Sequence, residues 1–541
     1  MPRLTSTVTS SFDGISAAWL RPRAAGPVQF GPWTTGAVIA LAAIAGAWAR
    51  LSTIGNDALF MDELYTWAVT KMSVWRILTT PFDVHPPLFF LVAKAFTVFG
   101  DSETALRAPS VIAGIATAGL VFQFARKYCG TTASAFGAIV LLLSYKHIVH
   151  SSTTRNYALL LLLAFAATWV LVVLARRLAT DQQRAGKIAL LAAAYNVLAL
   201  GALMTHTVGS IYLLVLNGLV LLGFGLERPN RSFRLAVYLA GLNLIPYGIF
   251  AVWFSRAQAT LTDYGWLQAF SVIDAAKIFA ATLGPGRIPV GGGGVTEVVL
   301  VLVVILVLAG VIVSVLRAPS EYWAPTVAMT IALPLALYAL TPLQTIYMER
   351  TILFTVPGAA LAVAALVGWV RWKAVSLAIG GVLTAAYLSS AAIYVMRDSS
   401  RISYGMQPIQ DFRAAMKVVD AEVAQGAGLL TCETFSEPAL RYYGKQQAYA
   451  HITTTAPRDF GIRTGKWLDY FGLPAPERDA KKWIQPAPTA PDRYQRLVYL
   501  DVVNFCLRTD SGIFDTLQNR GFAVDGVTRL QGINVYTLSR R

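Results

Sequence analysis

The sequence predicts an α-helical polytopic membrane protein with about 11 transmembrane helices and a C-terminal α/β domain outside the membrane. Three observations carry this expectation. Of 541 residues, 55% are hydrophobic and 14% charged, with mean hydropathy +0.54, so the chain holds more apolar surface than a soluble fold can bury. Apolar stretches of the ~20 residues that a spanning helix needs recur from Trp33 to Met396. The cations, 45 Lys and Arg against 29 Asp and Glu, gather at the ends of those stretches. That is the positive-inside pattern of a membrane protein and not the basic face of a nucleic-acid binder.

Residues 1–32 carry Arg3, Arg21 and Arg23 among Ser, Thr, Gly and Pro with no apolar h-region, and read as a disordered cytoplasmic tail. Spans are expected near 34–53, 107–125, 132–150, 156–175, 188–205, 208–226, 235–255, 296–316, 324–340, 351–370 and 374–396. With the N-terminus inside, Arg126 and Lys127, then Arg176, Arg177, Arg184 and Lys187, then Arg228, Arg231 and Arg234, then Arg317, then Arg371 and Lys373 all fall on the cytoplasmic side. Residues 87–100, PLFFLVAKAFTVFG, are apolar but short for a bilayer and are broken by Lys94; counted as a span they would invert every later helix. They are therefore laid in the outer interface as an amphipathic helix. The transmembrane domain is then 33–396, with a first outer loop at 54–106 and another outer loop at 256–295. An odd number of spans leaves the C-terminus outside.

From Arg397 the composition turns mixed, and 397–541 is enough chain for one small domain. Residues 411–424 have helical periodicity, 428–432 and 497–502 read as buried strands, 512–520 as a helix and 533–538 as a final strand, so an α/β layer is expected. Between them, Thr453 to Asp492 is rich in Pro, Lys and Asp and reads as an irregular excursion. Three cysteines make no disulfide scaffold. Cys129 falls at the cytoplasmic end of a span, while Cys432 and Cys506 either pair or stay as buried free thiols.

Ionisable residues near membrane depth usually face a cavity or the bundle interior. On the outer side they fall in four places: Asp57, Asp62, Glu63, Asp83 and His85; His147, His150 and Arg155; His206; and Arg256, Asp263, Glu349 and Arg350. Any one of them alone is explained as well by an interfacial anchor; their clustering on one side points to a site. Asp62-Glu63 lies in FMDELYTWAVTKMSVWRIL, where helical spacing lets Leu64, Trp67, Val74, Trp75 and Leu78 rest on the interface while Asp62 and Tyr65 share another face. A carboxylate there is a candidate general base toward a hydroxyl, although a bare Asp-Glu pair is more often two solvated loop acids. Asp83-Val84-His85-Pro86-Pro87 follows. Its prolines fix φ and remove amide donors, which presents His85 at a helix start for a phosphate contact or proton transfer, or simply as that start. Acids and histidines leave a divalent metal open, but His147 and His150 are spaced i, i+3 and no His-x3-His pair supports one. GGGG at 291–294 lacks the Lys-Ser/Thr of a phosphate loop.

MDE (61–63), DVHPPL (83–88), FGDSETALRAPSVIAG (99–114), HSSTTRNYALLLLL (150–163) and YMERTILFTVPG (347–358), in this order, resemble the protein O-mannosyltransferase-like branch of the GT-C glycosyltransferases (glycosyltransferase family 39 type), which includes lipid A aminoarabinose transferases. The resemblance is strongest over residues 55–175, weaker to 370 and absent from the outer domain. It implies a GT-C fold and inverting transfer of a sugar from a polyprenyl-phosphate donor to an acceptor hydroxyl of an envelope lipid, glycan or protein. The place implied is the extracytoplasmic face of a bacterial inner membrane. Asp62 matches the family's catalytic base, with Glu63 beside it. His85 matches a position that is His in protein mannosyltransferases and Lys in aminoarabinose transferases, near the carrier phosphate, and Arg155 matches an arginine at the outer start of the fourth span. Glu349-Arg350 falls where relatives have Glu-Arg-Tyr; Thr351 replaces the tyrosine, which leaves Arg350 a phosphate ligand or a structural cation. Arg256 is matched by position alone. The implied donor-phosphate residues are thus His85, Arg155, Arg256 and Arg350, and Tyr65, Asp83, His150, His206 and Glu349 are pocket candidates. Two other readings are a transporter or flippase of a lipid-linked sugar, expected to show inverted repeats or broken spans, and a non-catalytic subunit of an envelope polysaccharide assembly.

Overall fold

A computed structural model describes residues 31–52, 54–80, 85–179, 185–260, 271–285, 294–343, 346–370, 372–396, 403–404, 407–408, 410–431, 436–444, 452–454, 494–502 and 513–541. The membrane region is built from the apolar runs in order. Pro32 in the first turn opens α1 (Pro32–Leu51). The outer segment that follows holds α2 (Met61–Thr70), α3 (Val74–Thr79) and α4 (Leu88–Phe96). Ser102 caps α5 (Glu103–Cys129) by accepting from Ala105 N, and Gly130, at φ 80°, ends it. Then come α6 (Thr131–Leu143), α7 (Tyr145–Ser151), α8 (Tyr157–Ala179), α9 (Ala185–Leu203), α10 (Val208–Glu227), α11 (Pro229–Thr260), α12 (Val272–Leu283) and α13 (Gly294–Arg317). Next, α14 (Ser320–Val327) and α15 (Leu333–Ala339) are joined by a π-helical stretch at Ala328–Ala332, and α16 (Thr355–Trp369) and α17 (Lys373–Met396) close the bundle.

Among the described residues, 9 helices are long and apolar enough to cross a membrane, and α6 with α7, bent by 61°, makes a tenth if taken as one span. The remaining expected span, 351–370, is shorter than predicted. Thr351 Oγ1 accepts from Met348 N and donates to Ile346 O, which holds a turn and delays the helix until Thr355. At 15 residues α16 is short for a bilayer, but it is wrapped by other helices and buried from Thr355 to Gly368. Small residues allow that burial. A Cβ added at Gly137 of α6 would collide with the Ala360 carbonyl, and one at Gly310 of α13 with the Ala362 carbonyl. Gly137→Leu and Gly310→Leu are therefore each expected to cost about 3 kcal/mol or more in overpacking. Gly36→Leu, with open space at the Cβ, is expected to leave the melting temperature of the solubilised protein unchanged.

The segment 87–100 forms α4 and a short 3-10 turn, too short to span, and Lys94 Nζ donates to Thr70 O, which ties α4 to α2. Val74, Trp75 and Leu78 are exposed, as the interface expectation required, but Leu64 and Trp67 are not. Leu64 is fully buried with Leu59 and Leu106 in a core completed by Phe412, Val498 and Ile533, and Trp67 packs edge to face on Tyr442 at 5.0 Å. Periodicity identified an apolar face; its partner is the C-terminal domain, not lipid. The second outer loop is also more regular than expected, since α11 runs to Thr260 and α12 lies within 256–295.

In the C-terminal domain, β1 (Ser403–Tyr404) pairs antiparallel with β2 (Gln407–Pro408). The expected helix and strands follow as α18 (Phe412–Ala424), capped by Asp411 Oδ1, β3 (Gly428–Thr431), β5 (Arg496–Val502), α20 (Ile513–Asn519) and β7 (Ile533–Arg540). Besides β1 and β2, three elements were not expected: α19 (Ser436–Tyr443), β4 (Ile452–Thr454), which falls where the excursion was to begin, and β6 (Phe522–Leu530). The sheet order is β4-β3-β5-β7-β6, with β3 parallel to β4 and β5, and β7 antiparallel to β5 and β6. As a bulged edge strand with few buried positions, β6 lacks the alternation that marks a strand. Residues 455–493, Cys432 and Cys506 lie outside the described residues, as do residues 1–30 of the N-terminal tail.

Candidate functional site

The site is built on the first turn of α2, where Asp62 and Glu63 meet the positive end of the helix dipole. The two acids have different environments. Glu63 is fully buried, and Arg107 of α5 grips it with both arms of the guanidinium, Nε to Oε1 at 2.8 Å and Nη2 to Oε2 at 2.6 Å. Thr154 N donates to Oε1 at 2.8 Å, and Phe60 N to Oε2 at 3.3 Å. Arg107 also donates to the carbonyls of Ile54, Asp57 and Ala58. This pair binds the outer segment, α2, α5 and the 152–156 turn into one unit. Both Glu63 carboxylate oxygens are occupied by these donors.

Asp62 is left accessible, its side chain 30% exposed, with Oδ2 at 3.8 Å from Arg155 Nη2 and 3.8 Å from Arg350 Nη1. Those are ion-pair distances and too long for hydrogen bonds, so the carboxylate keeps lone pairs for a third group. Arg155 is fixed by donating through Nη1 to Asp62 O and Thr66 Oγ1. Arg350 comes from the turn before α16, where its Nε contacts Met348 Sδ, and the neighbouring Glu349 forms an ion pair with Lys146 at the start of α7. Thr351 thus supports, through the turn it holds, an arginine that reaches Asp62.

Beside these charges three imidazoles surround Tyr157. The His85 and His206 rings lie 4.5 Å apart, His206 is 5.5 Å from Tyr157, and His150 is 4.9 Å from Tyr157. His206 Nδ1 accepts from Val208 N, which leaves the proton of its neutral ring on Nε2. Among the described residues, His85 Nδ1 and the Tyr157 hydroxyl are buried with no partner. Burial holds His85 well below the usual imidazole range, with His206, Arg155 and Arg350 acting the same way. Burial, then Arg350 and Arg155, push His206 down to about 3. Both rings are neutral at neutral pH and can donate a hydrogen bond without adding charge. An unfolded histidine takes up its proton near 6.5 and folded His206 only near 3, so between these values the unfolded state binds more protons. Stability is expected to be flat above pH 7 and to fall as pH drops from about 6.5. His206→Asn should shallow that fall in a pH series of melting temperatures.

The structure therefore brings together Asp62, Arg155, Arg350, His85, His150 and His206. Other expected residues lie elsewhere. Tyr65 turns from Asp62 into a separate apolar cluster with Val69, Met72, Ile77 and Phe90. Arg256 is exposed near the end of α11, and Asp83 lies outside the described residues. His147 parts from His150 and accepts from Arg50 Nη2 at 2.8 Å. Among the described residues no group of three or more His, Cys, Asp or Glu is placed to hold a metal ion. Sequence reasoning missed Arg107, Lys146 and Tyr157. A lysine between apolar runs, in LLLSYKHIVH, was the available signal for Lys146.

Residues 84–253, which include His85, Arg107, Lys146, His150, Arg155, Tyr157 and His206, match the family model of dolichyl-phosphate-mannose-protein mannosyltransferases. No curated protein sequence matches the chain. Among solved structures it is similar to ArnT from Cupriavidus metallidurans bound to undecaprenyl phosphate, at 12% identity, covering 93% of this chain and 98% of that chain with TM-score 0.53. The chain has the GT-C fold. A second GT-C structure, the Archaeoglobus fulgidus oligosaccharyltransferase tethered with an acceptor peptide, is similar at 10% identity over 93% of this chain and 74% of that chain, with TM-score 0.52. In the GT-C fold of this chain the Asp62 cluster lies between the outer segment, the 152–156 turn and the start of α16, and the C-terminal domain meets α2 through Gln410, just before α18; the Gln410 Oε1 accepts from Met61 N.

Proposed function

We propose that the chain is an inverting glycosyltransferase that moves a sugar from a polyprenyl-phosphate donor to an acceptor hydroxyl at the outer face of a bacterial inner membrane. In this reading residues 33–396 form the catalytic membrane domain and 397–541 an extracytoplasmic one. The observation that carries it is an accessible Asp62 carboxylate set between Arg155 and Arg350 beside neutral His85 and His206. Asp62 takes the acceptor proton as its oxygen attacks the anomeric carbon. The bond from that carbon to the phosphate oxygen breaks on the opposite side, and the electron pair leaves with the lipid phosphate. The Arg155 and Arg350 guanidiniums stabilise the departing anion, with hydrogen bonds from His85 or His206. Arg256, one more cation at the end of α11, is proposed to meet the same phosphate. That ArnT is bound to undecaprenyl phosphate and that residues 84–253 match a dolichyl-phosphate-mannose-dependent family both support a lipid-phosphate donor.

The test is the purified protein in nanodiscs with short-chain polyprenyl-phosphate sugars and glycan, lipid and peptide acceptors, with the product's anomeric configuration read by NMR. Inverted product from one donor is expected. Retained configuration, or no transfer from any donor, would overturn the proposal.

A further inference from the structure

A second feature lies on the other side of the helix that carries Asp62. A hollow of about 540 Å³ opens between the outer segment and the C-terminal domain, lined by Trp67 of α2, Asp101 and Glu103 before and at the start of α5, Arg413 of α18, and Arg441, Tyr442 and Tyr443 of α19. That volume is in the ~300–1,000 Å³ range of small-ligand sites. Its walls are held before any ligand arrives. Arg413 Nη2 donates to Glu103 Oε1 at 2.6 Å, and the Tyr443 hydroxyl shares that oxygen at 3.0 Å. The Tyr442 hydroxyl donates to Asp101 O, and the Trp67 ring meets Tyr442 edge to face and lies 5.4 Å from the Lys71 ammonium, itself paired with Asp101. Among the described residues, the Trp67 Nε1–H is a buried donor with no partner. An unmet buried indole N–H costs free energy that a ligand acceptor would recover.

The lining selects the ligand class. Among the described residues the side chains lining the hollow are aromatic, acidic or basic, and none of them is an aliphatic wall for an acyl chain. Carboxylates and guanidiniums stand side by side, which disfavours a strongly anionic or strongly cationic polymer. Aromatic rings beside planar charged groups suit a neutral ring compound with an apolar C–H face and a rim of hydroxyls, each able both to donate and to accept. We propose that this hollow is a saccharide-binding subsite that holds the part of a glycan acceptor remote from the reacting hydroxyl. Trp67 follows Asp62 by five residues on α2, about 7.5 Å along the axis and roughly 140° around it. A glycan bound at Trp67 must therefore extend round the N-terminal turn of α2 to present a hydroxyl to Asp62. The acceptor role rests on the glycosyltransferase reading; the saccharide binding itself does not.

The experiment is titration of the full-length solubilised protein, without donor, with maltopentaose, cellopentaose, chitopentaose and mannopentaose, read by tryptophan fluorescence and calorimetry. At least one of these oligosaccharides is expected to bind saturably. Tyr442→Ala and Trp67→Phe, which keeps a ring but removes the N–H, should each weaken that binding about tenfold, the equivalent of roughly 1.4 kcal/mol, while Asp62→Asn binds as the wild type does. Melting temperature checks each variant, and the conservative Trp67→Phe decides if Tyr442→Ala does not fold. The proposal is overturned if none of the four binds, or if both folded variants bind like the wild type. Saccharide binding without transfer from any polyprenyl-phosphate donor would refute the acceptor role alone, whereas transfer to a peptide or lipid without saccharide binding would refute the subsite and leave the transferase reading intact.

Discussion

Asp62→Asn is expected to lower sugar transfer by about 10²–10⁴-fold, the usual contribution of a positioned proton acceptor, with membrane insertion and melting temperature close to wild type. The substitution keeps the shape of the side chain and removes only the charge and its basicity. The structure explains why stability should hardly move. The Asp62 side chain is partly exposed and its carboxylate meets Arg155 and Arg350 at 3.8 Å, beyond hydrogen-bond distance, while the hydrogen bond from Arg155 goes to the Asp62 backbone carbonyl, which the substitution keeps. Ion pairs of that kind contribute about 1 kcal/mol or less. A kinetic loss with an unchanged fold, measured on donor turnover and thermal unfolding of the same preparation, is the expected pattern. Unchanged turnover would remove Asp62 as the base.

Glu63 should behave in the opposite way, although it is the next residue. Arg107→Met leaves the Glu63 carboxylate fully buried with the loss of both guanidinium bonds. Breaking a buried pair from one side costs about 3–5 kcal/mol because the remaining charge is uncompensated. The carbonyls of Ile54, Asp57 and Ala58 each lose a donor as well, Asp57 O keeping the one from Arg413, so the outer segment should loosen along with the global stability. The double variant Glu63→Gln/Arg107→Met should recover part of the loss, since the stranded charge is gone. Thermal unfolding of the two single variants and the double variant measures this. If Arg107→Met were as stable as wild type, the pair would not be the anchor of the site.

The contrast between these neighbours shows where sequence reasoning reached its limit. The spans were legible because a bilayer demands long apolar runs, and 87–100, which Lys94 kept from being counted among them, forms only a short apolar helix; the partner of Lys94, Thr70 O, is visible only in the fold. In the C-terminal domain α18, β3, β5 and β7 were legible from periodicity, whereas β6 was not, because an exposed edge strand has no apolar face to alternate. At the site, Asp62, His85, Arg155 and Arg350 were found through motifs whose residues the fold brings together from 62 to 350. The difference between Asp62 and Glu63 was not legible. It depends on Arg107, distant in sequence, and on a backbone N–H at Thr154. Leu64 and Trp67 were read as facing lipid for the same reason: helical spacing shows that a face is apolar but not what covers it.

One measurement separates a transferase from a carrier of lipid-linked sugar. Protein reconstituted in sealed vesicles is given a polyprenyl-phosphate donor labelled in the sugar, together with an acceptor on the outer-face side, and both the label and free polyprenyl phosphate are followed. The expected result is one polyprenyl phosphate released per labelled sugar on the acceptor, lost in Asp62→Asn. Intact labelled donor crossing the bilayer with no polyprenyl phosphate released would contradict the account.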